Sequence, residues 1–144
     1  MQYLDETKYG DELVSHARDG DSCYRYSLWF PALTMYIHAI EWAAITFLEA
    51  ETGIDIIEKE RDGVNYYLAG GEHSIVNELI RHADVDQKTI SVINSTNRLE
   101  RRWVAHHKSG QTRRDDVDAV RGRLETLVES LFRTLTIKAQ EDEE

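Results

Sequence analysis

Between Pro31 and Gly53 nothing in the chain breaks a helix, and Leu33, Tyr36, Ile37, Ile40, Ala44, Phe47 and Leu48 recur at i, i+3 and i+4 intervals. At 3.6 residues per turn that spacing gathers them on one wide apolar face. The helix is expected to start near Ser27. Pro31 fits its first turn, where a missing N–H costs no intrahelical bond, and Gly53 marks its end. Pro31 is the only proline and the glycines number eight, so long stretches elsewhere also run unbroken, with helical rather than alternating periodicity. The last of them is the most regular. Val117, Val120, Leu124, Leu127, Val128, Leu131 and Leu135 make a nearly continuous seam. Thr112 with Asp115 three residues on has the form of a capping box at its start.

Shorter pieces fill the rest. Residues 1–22 are polar and hold one short expected helix, "GDELVSHAR". "IDIIEKERDG" reads as a short helix or turn ending at Gly63, "YYLAGG" as a loop, and "EHSIVNELIRHA" as another short helix. "DVDQKTISVINSTNRLERRWVAHH" follows, capped by Asp84 or Asp86, until "KSGQ" breaks it. The expected fold is all-α: an up-and-down helical bundle of four main helices plus short helices. A partly flexible polar extension is expected over 1–22, one domain over 23–139, and a solvated acidic tail over 140–144. A chain of 144 residues suits a single core.

Charge narrows the function. The net charge is −10, which argues against a general nucleic-acid or anionic-membrane surface. Lysine is confined to Lys8, Lys59, Lys88, Lys108 and Lys138. A heavy acidic load with few lysines is expected of a protein working in high salt, hence of a halophilic source. Cys23 is the only cysteine, so no intrachain disulfide forms and a cytoplasmic location is expected. No cationic start precedes an apolar run, so no signal peptide is expected. The apolar stretch 28–48 is interrupted by Pro31, His38 and Glu41, which makes it a buried helix rather than a membrane span.

Against that acidic background one window stands out. Arg98, Arg101, Arg102, Lys108, Arg113 and Arg114 lie close together with only Glu100 opposing them, and His106 and His107 sit among them. A helix C-terminus accounts for one or two such cations through its dipole. If that is all they do, the chain is a plain helical dimerisation domain. The alternative is phosphate chemistry. Cleaving RNA needs a base for the 2′-OH proton, an acid for the leaving oxygen, and fixed positive charge on the phosphorane. Histidine titrates near neutrality and can move the protons, while arginine binds phosphate oxygens through paired donors. No metal or other cofactor is needed.

"RRWVAHH", residues 101–107, resembles the R-x4-H signature of HEPN domains, small helical bundles found in prokaryotic toxins, CRISPR-associated ribonucleases and defence proteins. Two registers fit. Arg101 to His106 places Arg102 at the family's polar position and is preferred. Arg102 to His107 places Trp103 there. "YIHAIEWAAITFLEAETG" is similar to the family's first long helix, with Glu41 as its acidic residue, and "GEHSIVNELI" is similar to its G-H-x-h segment, with His73 at the matching place. The resemblance spans roughly residues 28–138. It implies a metal-independent endoribonuclease that cuts single-stranded RNA at a composite cleft of a homodimer. Arg101 and His106 would be catalytic, Arg102, His107 and Glu41 supporting, and Arg98, Lys108, Arg113 and Arg114 RNA-binding. It also implies a nucleotidyltransferase antitoxin as partner. In some members that partner modifies a tyrosine two residues after the histidine; Lys108 stands there in this chain. Some members only bind RNA or nucleotides, or act as scaffolds, and Arg102 replaces the usual asparagine.

Other candidates carry less. His38 and Glu41 stand three apart in the wrong order for an E-x-x-H pair, and no second pair exists on another helix, so a di-metal site is not expected. Glu41 is expected to pair with Arg98 or Arg101. "RHAD", residues 81–84, lacks adjacent His-Asp ligands, and Trp29, Trp42 and Trp103 are expected in the core rather than stacked on bases.

Overall fold

The computed structural model describes residues 7–99 and 112–143. They form six helices: α1 (Gly10–Arg25), α2 (Trp29–Thr52), α3 (Ile56–Arg61), α4 (Ile75–His82), α5 (Gln87–Leu99) and α6 (Arg114–Glu143). The expected all-α class holds, and the only β pairing among the described residues is an isolated bridge between Tyr67 and Ser74. No helix among them is long and apolar enough to cross a membrane.

The axis of the molecule is α2. Apolar positions predict one buried face, yet Ala39, Ala43 and Ile45 are buried beside Tyr36, Ile40, Phe47 and Leu48. A helix becomes buried nearly all round when neighbours cover most of its surface, and α1, α4, α5 and α6 all pack on α2. It ends as expected at Gly53, whose φ of 77° is the left-handed C-cap.

On α6, Val117, Val120, Leu124, Leu127 and Leu131 are buried as the seam predicts. Its start differs by one residue. The helix begins at Arg114, and the Asp116 carboxylate accepts the Arg113 N–H at 3.0 Å. "TRRDD" offers two acids in a row, and the reaching-back half of the capping box falls to Asp116, not Asp115. Residues 140–143 are the last turn of α6, where a tail was expected. Asp86 caps α5 by accepting the Thr89 N–H at 2.8 Å. The Thr89 and Ser130 hydroxyls, 3.0 Å apart, tie α5 to α6.

The N-terminal extension also differs. Its helix is α1, which crosses the expected 22/23 boundary and buries Leu13 and Gly20. Two glycines and several aspartates lower local helix propensity; packing on α2 overrides it. A Cβ on Gly20 would stand 2.7 Å from the Tyr36 ring, and Tyr36 is 1% exposed with its hydroxyl bound to Asp21. Overpacking of this kind costs about 1–3 kcal/mol, while alanine returns at most about 1 kcal/mol of helix propensity. Gly20→Ala is therefore expected to lower stability by about 1 kcal/mol, seen as an earlier thermal transition by circular dichroism.

A clasp closes this end. Lys8 Nζ lies 2.6 Å from Asp55, the Tyr9 hydroxyl lies 2.7 and 2.8 Å from the two Asp55 oxygens, and Asp55 caps α3 through the Glu58 N–H. Burial alone would push the Asp55 carboxyl up. Hydrogen bonds from Lys8, Tyr9 and the Glu58 N–H outweigh it and hold the group below its ordinary value. Because the folded value is the lower one, the clasp contributes fully above the unfolded carboxylate pKa of about 4. Its contribution fades as pH falls through the folded value. Asp55→Ala is expected to cost about 2 kcal/mol at neutral pH. In urea titrations the gap from the parent should narrow on acidification below about pH 4; a gap that stays constant would show that the charge of Asp55 is irrelevant.

Candidate functional site

A cleft of about 830 Å³ opens between α2, α3, the α3–α4 connection and α5, within the roughly 300–1,000 Å³ of small-ligand sites. One stripe of α2 forms its wall. His38, Glu41, Trp42 and Ile45 follow i, i+3, i+4, i+7 and so face the same way. Ile57 and Glu60 come from α3, and Asn97 from the last turns of α5.

The opposite rim is the connection from Tyr66 to Gly71. Its shape is fixed by backbone bonds. The Tyr67 N–H donates to His73, and Tyr67 and Leu68 carbonyls accept the Ile75 and Val76 N–H groups, at 3.0–3.1 Å. Gly70 and Gly71 turn the chain at φ 89° and 77°, a region that side chains with Cβ disfavour. Asn77 Nδ2 holds the turn by donating to the Gly71 carbonyl at 2.6 Å, and Ser74 caps α4. Buried Leu68 anchors the loop and leaves Tyr67 68% exposed at the mouth. Tyr66 is held by Glu78 at 3.4 Å and by Lys59 at 3.5 Å. Its ring also meets His73 at 5.6 Å.

Polar groups converge unevenly. Glu41 Oε2 is 3.6 Å from His38 Nδ1, and the His38 ring lies 5.9 Å from that of His16 on α1. The Trp42 ring meets that of Tyr9 at 5.6 Å, tilted by 40°. Glu60 has no hydrogen-bond or ionic partner for its carboxylate among the described residues, and the Asn97 amide has none either. The described lining holds two carboxylates and no lysine or arginine. Among the described residues no group of three or more His, Cys, Asp or Glu side chains could hold a metal ion.

Of the residues expected at the site, Glu41 is on the cleft wall. Its described partner is His38 and not Arg98, which is exposed at the end of α5 and takes part in no ion pair among the described residues. Arg113 is exposed at the start of α6. Arg114 lies against α1: its Nε donates to the Tyr24 hydroxyl at 3.2 Å and approaches Asp118 at 3.8 Å. The Tyr24 bond holds the guanidinium above its usual pKa. None of these three arginines lines the cleft. Arg101, Arg102, His106, His107 and Lys108 lie outside the described residues. Trp42, expected in the core, is half-buried on the cleft wall, and His73 backs Tyr66 without reaching the cleft. The sequence signal for the rim was the paired aromatics and glycines of "YYLAGG"; Glu60 and Asn97 carried none.

Compared with models of protein families, with curated proteins and with solved structures, the chain matches nothing significantly.

Proposed function

We propose that the chain is a HEPN-type, metal-independent endoribonuclease of the toxin or defence kind. In this reading it is a helical bundle of four main helices that acts in the cytoplasm of a halophilic prokaryote. It cuts single-stranded RNA at a composite cleft of a homodimer. Arg101 stabilises the phosphorane, His106 moves the proton, and Arg102, His107 and Glu41 support them. Arg98, Lys108, Arg113 and Arg114 steer the RNA backbone, an attraction that high salt weakens.

One observation carries the reading. Glu41, the acidic residue of the motif-like long helix, lines the same cleft as Asn97, and Arg101 follows Asn97 by four positions in sequence. The direct test is cleavage of a labelled single-stranded RNA in EDTA by the parent chain, Arg101→Ala and His106→Ala, each first shown to fold. Cleavage by the parent, lost in both variants, supports the reading; equal cleavage by all three removes it.

A second reading is a non-catalytic HEPN-like module that binds nucleotide or RNA, or serves as a scaffold, beside a nucleotidyltransferase antitoxin. Arg102 at the position where asparagine is usual favours it. Binding of RNA without turnover would select it.

A further inference from the structure

We propose that the cleft between α2 and the Tyr66–Gly71 rim is a base-recognition pocket selective for guanine. This rests on the ribonuclease reading for its biological source, though not for its chemistry. RNA carries its negative charge on phosphates, and the carboxylates of the described lining, Glu41 and Glu60, repel phosphate. A carboxylate accepts hydrogen bonds and donates none, so what it can hold is the N–H edge of a base, exposed only when the strand is single.

The bases differ in what that edge presents. Guanine shows two adjacent donors, N1–H and N2–H, which match the two oxygens of one carboxylate. Adenine and cytosine set an amino group beside a ring acceptor, and uracil sets its single N–H between two carbonyls. Each of these faces a carboxylate with at least one repelling lone pair. Glu60 is the carboxylate available for pairing, since Glu41 already faces His38 at 3.6 Å. The amide of Asn97, also unpaired among the described residues, supplies a donor for guanine O6. Tyr66, Tyr67 and Trp42 supply aromatic faces, which hold any base by stacking and so add affinity without choosing among them. Selectivity falls to Glu60.

The test is saturation-transfer NMR on the full chain with guanosine, inosine, adenosine and uridine, which carry no phosphate and so report on the pocket alone. Guanosine is expected to bind roughly tenfold or more tighter than adenosine or uridine, the discrimination typical of a paired base contact. Inosine keeps N1–H and O6 but lacks the amino group, and should fall between. Glu60→Gln, at an exposed position where folding is not at stake, should erase the preference while leaving weak stacking. Guanosine binding no tighter than adenosine would overturn the proposal, as would an unchanged preference in Glu60→Gln. A parallel arm uses RNAs of one length with a single guanine or none. Cleavage beside the guanine supports RNA as its source. Cleavage indifferent to guanine overturns guanine reading in RNA and leaves the ribonuclease standing. Guanosine selectivity with no cut in either RNA supports the pocket, with a free guanine nucleoside or nucleotide as its ligand, and removes the ribonuclease.

Discussion

Alanine at His106 is expected to slow RNA cleavage by roughly 10²- to 10⁴-fold, the range that one general acid or base supplies. The expectation follows from the proposed chemistry. With no metal to activate the 2′-OH, the proton must leave to a side chain that is partly unprotonated near neutrality, and imidazole is the only common one. His107 is the control that fixes the register. If Arg101 and His106 form the pair, His107→Ala keeps most of the activity; if Arg102 and His107 do, the two losses exchange. Arg101→Ala should cost roughly 10²- to 10³-fold, as for one group that stabilises developing charge. Initial rates on a labelled single-stranded RNA in EDTA decide this, with folding of each variant confirmed first. A His106→Ala protein as fast as the parent, with His107→Ala equally fast, would leave the proposed mechanism without a proton carrier.

Phe47→Ala is expected to destabilise the fold by about 3–5 kcal/mol, the usual cost of removing a buried phenylalanine. Phe47 is 1% exposed in the C-terminal part of α2. With Val85 and Leu131 it also forms the apolar part of a cleft of about 260 Å³ whose other lining includes Asp86, Thr89 and Ser130, the residues that start α5 and join it to α6. Truncation would therefore open the core toward a polar crevice. Neighbours fixed by the Thr89–Ser130 contact and the Asp86 cap are poorly placed to collapse into the gap. Against a typical total of 5–15 kcal/mol, such a loss brings the protein near its unfolding threshold at ordinary temperatures. Urea denaturation followed by circular dichroism measures it. A loss below about 1 kcal/mol, less than the ordinary cavity cost, would mean that the α2–α6 packing is far looser than the burial of Phe47 implies.

What the sequence made legible follows from how local each cause is. The ends of α2 and the seam of α6 depend on spacing and breakers, both readable along the chain. The length of α1 was not, because Gly20 looks like a breaker, and only the Tyr36 ring packed against it explains a glycine there. The α6 cap shifted by one residue because Asp115 and Asp116 satisfy the same local rule. The cleft was the hardest to foresee. Its walls come from four separate stretches, and of its polar groups only His38 and Glu41 drew notice, through their spacing on one helix and, for Glu41, its motif-like context. Glu60 and Asn97 gain meaning only from what the fold sets beside them.

The four helices that pack on α2 give the molecule the connectivity of a hub with spokes. A spoke that loosens exposes its own inner face and a strip of α2, while the remaining spokes keep their seats. Departure of α2 takes away the surface that α1, α4, α5 and α6 share, leaving lesser contacts such as those of α5 with α4 and α6. Openings of the molecule are therefore graded: cheap and local at its periphery, and equal to complete unfolding at its axis. The cleft has one wall on that axis and its rim on a peripheral loop. A ligand seated there would lose its rim in a local opening and the α2 wall only when the whole fold goes.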